Sequence, residues 1–168
     1  MKFGSTLMSV MDRLSSMGIR LLSSNGPVST FTYIPYRKIG KMVYISGQLP
    51  KTQLSTGEID IVKGKVGDEI SVEAAKLAAR ACGVSLLSVL RDACDGDLDR
   101  VTAVLKIDGF VSCVDSFVDH PLVINGCSDL FVEVFGAQVG SHARAAVGCS
   151  SLPLGVPVEI AGIFEISI

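Results

Sequence analysis

Arg144 sits in "HARAAVGCSSL", among alanines and a valine, and Glu159 sits in "PVEIAGIFEI", in line with apolar neighbours. A guanidinium offers a rigid fork of donors that matches a carboxylate in bidentate fashion, and it stays charged when partly buried. A carboxylate in apolar company takes a proton from water, or hands one on, once desolvation raises its pKa towards neutrality. If the two strands pair, Arg144 and Glu159 flank one cavity and combine anion binding with proton transfer. The competing reading is structural: an arginine that reaches solvent, or an ion pair to Glu159 with no ligand between them. Spacing alone leaves both open.

Four further positions join the candidates. In "YISGQLP", Ser46 and Gly47 stand at a strand end where a glycine lets backbone N–H groups approach a ligand closely. Tyr33 and Asn125 can each donate or accept a hydrogen bond at such a site. His120 and His142 invite a dyad with a Cys or Ser, but the chain has no G-x-S-x-G elbow and no local signature around a cysteine. It also lacks a G-x-G-x-x-G and a P-loop for a nucleotide. Cys82, Cys94, Cys113, Cys127 and Cys149 are odd in number, form no C-x-x-C and keep no metal-ligand spacing from either histidine. They read as reduced core thiols of a cytosolic chain; no metal and no cofactor are expected.

The elements that must hold these residues follow from pattern. At 168 residues, with 48% apolar and 19% charged residues, the chain is one domain's worth and well outside the disordered class. No apolar run reaches membrane-spanning length, so no membrane association is expected. The net charge is −2 and the fifteen Lys and Arg are scattered singly, which argues against nucleic acid as a partner.

The first 30 residues are expected to form an amphipathic helix and a linker. Leu7, Met8, Met11, Leu14 and Met17 recur at helical spacing, and "SSNGPVST" follows. Lys2, Arg13 and Arg20 with one acid also give this segment a faint likeness to a mitochondrial presequence, so a cytoplasmic location has a mitochondrial alternative. Residues 31–168 are expected to form a single domain. "FTYIPYRKI" and "KMVYISG" read as strands joined by a hairpin turn at Gly40-Lys41. Residues 50–70 are a polar, Gly-punctuated surface excursion with room for short edge strands.

Ser71 is a good N-cap and Glu73 suits the first turn of a long helix over "EAAKLAARACGVSLLSVLRDAC". Its buried face is expected to carry Leu77, Ala78, Ala81, Cys82, Leu86, Val89 and Leu90. "RVTAVLKIDGFV" reads as a buried strand, residues 121–135 as a second helix, and the stretches holding Arg144 and Glu159 as the last two strands. The order predicts an α+β sandwich, a mixed sheet with helices on one face.

Taken together, "YISGQLP", "GDLDRVTAVLKIDGFV", "VINGCSDLFVEVFG" and "HARAAVGCSSLPLGVPVEIAGI" resemble the RidA/YjgF family of reactive intermediate deaminases, many of them labelled endoribonuclease L-PSP. The likeness runs from about Phe31 to Ile168 and is greatest to a longer branch with an extra N-terminal helix. It implies a chorismate-mutase-like fold, a homotrimer whose sheets form a central barrel, and clefts at the subunit interfaces. It further implies hydrolysis of imines and enamines of 2-amino acids, such as 2-iminobutanoate, to the 2-oxo acid and ammonia. Arg144 then grips the substrate carboxylate and Glu159 positions the attacking water. Ser46 and Gly47 lie beside the ligand, Tyr33 forms an aromatic wall, and Asn125 is a polar neighbour.

Two departures bear on specificity. Ala146 stands where many members have a cysteine, leaving only its backbone N–H to serve, and His142 stands where the shorter branch has proline. Two other readings remain at this point. One is a regulatory trimer that binds 2-oxo acids without turnover. The other is a ribonuclease, disfavoured by the missing basic groove and the missing pair of histidines or metal ligands for phosphodiester cleavage.

Overall fold

The computed structural model describes residues 8–22 and 32–168. A short helix α1 (Val10–Ser16) is followed by strands β1 (Tyr36–Ile39) and β2 (Met42–Gln48), then by a small hairpin of β3 (Lys51–Gln53) and β4 (Ile59–Ile61). Helix α2 (Val72–Ala93) leads to β5 (Val101–Ser112), helix α3 (His120–Phe135) and the single turn α4 (Ala137–Gly140). Strands β6 (Ala143–Cys149) and β7 (Val158–Ile166) come last. The main sheet has the order β1-β2-β7-β5-β6. β6 runs parallel to β5 and the other neighbours are antiparallel, so the sheet is mixed.

One face of this sheet is buried under α2 and α3. Strand β7 alternates strictly: Val158, Ile160, Gly162, Phe164 and Ile166 face the core, and Glu159, Ala161, Ile163 and Glu165 are half-buried on the other side. Val43, Ile45, Val104, Ile107 and Val111 join the core from β2 and β5. α2 starts at Ser71, whose hydroxyl accepts from the Ala74 N–H, and buries Ala75, Ala78, Cys82, Leu86 and Leu90. Leu77, expected inside, is 69% exposed. Two residues on from Ala75 at about 100° per residue, it falls on the far side of α2 from the stripe of Ala75, Ala78, Cys82 and Leu86 and faces away from the sheet.

α2 and α3 pack closely because glycines remove side chains at the crossing. A β-carbon on Gly126 would strike the Lys76 carbonyl, and one on Gly83 would lie 2.9 Å from Leu130.

The amino-terminal helix is shorter than the expected amphipathic run and turned differently. Val10 and Leu14 are buried, whereas Met8 and Met11 face solvent; Leu7 lies outside the described residues. Two polar contacts set this rotation. The Val10 N–H donates to Asp99 Oδ1 at 2.9 Å, and Arg13 Nη1 donates to the Val134 carbonyl at 2.8 Å. The linker and Phe31 lie outside the described residues. The surface excursion holds its own two-stranded sheet instead of edge strands of the main one, as β3 and β4 pair only with each other.

Candidate functional site

Among the described residues, strand β6 forms one edge of the sheet and pairs with β5 alone. In register, Arg144 lies beside Ile107 and Ala146 beside Gly109, so both side chains leave the sheet on its helix-covered face. There the guanidinium meets α3. Its Nη1 donates to Asn125 Oδ1 at 2.8 Å and to Ser128 Oγ at 3.1 Å. Asn125 and Ser128 are one helical turn apart and so point the same way. Both protons of Nη1 are thereby engaged. Among the described contacts of Arg144, none falls on Nε or Nη2, the pair that forms the side-on fork for a carboxylate.

A histidine stands behind this pair. His142 Nε2 is 2.9 Å from Ser128 Oγ and its Nδ1 is 2.6 Å from the Gly140 carbonyl. Burial lowers its pKa from the ordinary value and the nearby Arg144 charge adds to this, while the Gly140 carbonyl works against both. The ring sits edge-on to Phe131, with centroids 6.1 Å apart.

Glu159 lies elsewhere. Its register partner is Phe110, on the face of the sheet that no described helix covers. Between its strand and that of Arg144 runs β5, and the two side chains leave the sheet on opposite sides. The strand pairing on which a cavity shared within one chain depends is therefore not formed. A parallel strand entering through the α3 crossover adds at the edge, while β7 inserts between β2 and β5.

A bulge opposes Ser46 and Gly47 to Ala161, as the register shifts between Ile45 and Gln48. The Glu159 carboxylate lies against Gly47, where a β-carbon would collide with Oε1. Partial burial raises the Glu159 pKa above the ordinary carboxylate value.

The expected site residues thus form two groups. Arg144, Asn125 and half-buried Ala146 lie on the helix-covered side at the β6 edge. Ser46, Gly47 and Glu159 gather around the bulge on the other side. Ser46 Oγ donates to the Ile34 carbonyl at 2.8 Å, and together with Tyr33, Tyr36 and Tyr44 it lines a shallow surface hollow.

Ser128 was not among the expected residues. Its signal was available: it is the polar residue three positions beyond Asn125 on a helix otherwise apolar on that flank. The fold also joins Cys113 Sγ to His120 Nε2, 3.4 Å apart, which their sequence spacing does not suggest. The five thiols are free, and burial raises the pKa values of Cys82 and Cys127 well above the usual thiol range, which makes both poor nucleophiles. Among the described residues no three His, Cys, Asp or Glu side chains converge as metal ligands. No described helix is long and apolar enough to cross a membrane.

Residues 12–161 match the family model described as "YjgF/chorismate_mutase-like, putative endoribonuclease". The chain belongs to the YjgF family. Protein TCP17 of Trypanosoma cruzi is 38% identical over 154 residues, covering 92% of each chain. The crystal structure of Atu1372 of Agrobacterium tumefaciens, a protein of unknown function, is 40% identical and superposes with a TM-score of 0.82 over 95% of this chain and 93% of that one. An endoribonuclease-like structure from Shewanella oneidensis superposes with a TM-score of 0.84 at 26% identity, over 94% and 99% of the two chains. The mixed α+β sheet with its helices is the YjgF-like fold that the sequence blocks imply.

Proposed function

We propose that this YjgF protein is an imine/enamine deaminase, hydrolysing 2-imino acids such as 2-iminobutanoate to the 2-oxo acid and ammonia. The observation that carries the reading is the state of Arg144: fixed through Nη1 to Asn125 and Ser128, it retains an Nε–Nη2 fork at an exposed strand edge. A fork of this kind suits a small carboxylate.

Glu159 supplies the proton chemistry in this reading. Its raised pKa suits a carboxylate that takes a proton from water as the oxygen adds to the imine carbon. That proton passes to the nitrogen to give the amino-alcohol; the hydroxyl proton is then relayed to the same nitrogen, the C–N bond breaks with its electron pair on nitrogen, and ammonia leaves the new carbonyl. Imines are intrinsically hydrolysable, so orientation and proton transfer are what the protein has to supply.

Because Arg144 and Glu159 face opposite ways in one chain, the site is completed between copies, the arginine of one meeting the glutamate of the next. A homotrimer provides that junction. Two features support it: the uncovered sheet face exposes Tyr44, Phe110 and Val147, and the β6 edge leaves backbone groups without a strand partner among the described residues. The decisive experiment is a 2-iminobutanoate deaminase assay on the wild type and Arg144→Ala. Equal rates in the two proteins would reject the reading. Binding of 2-oxobutanoate without acceleration of imine hydrolysis would favour a sensor of 2-oxo acids.

A further inference from the structure

Ser128 and His142 have no role in the reaction as proposed, yet they are joined to its central arginine in one row. The direction of every proton in that row can be assigned. A carbonyl oxygen only accepts, so the 2.6 Å contact with Gly140 places the proton on His142 Nδ1. In the neutral ring Nε2 is then an acceptor, and the Ser128 hydroxyl, 2.9 Å away, must donate to it. With its single proton committed, Ser128 Oγ presents lone pairs, and Arg144 Nη1 donates to it at 3.1 Å. A backbone carbonyl thus determines, through two side chains, which way an oxygen faces the guanidinium.

The row is also held rigid. The groups facing His142 are Ser128 and Phe131 of α3, the Gly140 carbonyl at the end of α4 and the Arg144 charge on β6. Phe131 is fully buried and packs edge-on to Phe164 of β7, so the imidazole leans on the core. Asn125 alone would leave the guanidinium free to swing about one hydrogen bond. A second acceptor one helical turn away fixes its plane.

We propose that Ser128 and His142 are positioning residues for Arg144, the Nδ1–H tautomer of His142 turning the Ser128 oxygen towards Nη1 so that Nε and Nη2 are aimed at the ligand carboxylate. This rests on the reading of Arg144 as carboxylate anchor.

The test combines steady-state kinetics on 2-iminobutanoate, calorimetric binding of 2-oxobutanoate and nitrogen NMR of the histidines in the full chain. Ser128→Ala and His142→Phe are each expected to raise KM and the 2-oxobutanoate Kd about tenfold, the scale of one hydrogen bond, with kcat within about twofold. The double variant should be no worse than either single one, since both break the same row. His142→Gln, whose amide oxygen can replace Nε2 as acceptor, should restore most of the affinity. The wild-type ring should show the Nδ1–H tautomer, a readout that needs no variant to fold.

An Nε2–H tautomer, or wild-type Kd values in Ser128→Ala and His142→Phe, would overturn the proposal. So would a loss of kcat at unchanged KM in Ser128→Ala, which would place the hydroxyl in the bond-making step. Arg144→Ala separates the two layers. If it abolishes 2-oxobutanoate binding while the Ser128 and His142 variants bind normally, only the positioning role fails; if it binds normally itself, the anchor reading fails too.

Discussion

Arg144 and Glu159 stand on opposite faces of one sheet, with β5 between their strands: the first is in register with buried Ile107, the second with Phe110 on the uncovered side. A reaction that uses both needs geometry that one chain does not contain, so each half can be perturbed apart from the junction between copies.

For the anion half, Arg144→Ala should lower kcat/KM for 2-iminobutanoate by about 100-fold or more, since a bidentate charged contact is lost. Arg144→Lys should recover only part, because an ammonium cannot satisfy Asn125, Ser128 and a ligand in one plane. Steady-state assays at fixed pH measure both.

For the proton half, the sign of the pH dependence follows from burial. The raised pKa of Glu159 means that the carboxylate form is lost, as pH falls, at a midpoint above 4.5, the ordinary glutamate value. Activity should show an acid limb there. Glu159→Gln should remove that limb and lower kcat about 10²-fold. Stability runs the other way. A carboxyl whose pKa is higher folded than unfolded opposes folding above the folded pKa and is neutral below the unfolded one. Glu159→Gln should therefore exceed the wild type in urea midpoint at neutral pH and match it in acid.

Gly47→Ala should impair the same half without touching the carboxylate chemically. The added methyl would collide with Glu159 Oε1, so the side chain must leave its place. The expected result is a loss of kcat close to that of Glu159→Gln, with a melting temperature near that of wild type.

Gly126→Ala tests the frame. Alanine favours a helix over glycine by about 1 kcal/mol, but here the methyl meets the Lys76 backbone carbonyl, which moves only if α2 moves. Overpacking of this kind costs about 1–3 kcal/mol and should win. Urea unfolding should show a lower midpoint, and Asn125 next door should bring Arg144 with it, raising KM.

The junction is tested on the uncovered face. Phe110→Glu places a charge beside Val147, its register neighbour on β6, where the trimer reading buries both. Sedimentation should shift from three chains to one of 17.7 kDa, with the far-UV spectrum unchanged. A single-chain mass for the wild type would remove the shared site.

Local chemistry made much of this fold readable. Ser71 announced α2, strict alternation announced β7, and the glycine turn at Gly40 announced the β1–β2 hairpin. What the sequence concealed was set by long-range contact. The rotation of α1 depends on Asp99 and Val134, far along the chain, and spacing alone gives Met8 and Met11 as strong a claim to burial as Leu14. Arg144 and Glu159 were legible as unusual residues in apolar strands. Their relative placement depended on strand order, on which alternation within one strand carries no information. The row from Arg144 to Gly140 was hidden for a similar reason: Ser128 and His142 meet only because α3 and α4 fold back over β6.

The glycine beneath Glu159 restricts how proteins with this scaffold can diverge. Position 47 tolerates no larger residue while the carboxylate keeps its place, whereas half-buried Ala146, two residues beyond Arg144 on the same face of β6, takes no part in the hydrogen bonds that hold the guanidinium. New ligand preferences should therefore arise by drift at the β6 edge around Ala146, with the acid and the residues that hold Arg144 kept constant. Directed evolution towards bulkier imino acids would do best to vary position 146 and leave both the bulge and the Asn125–Ser128–His142 row alone.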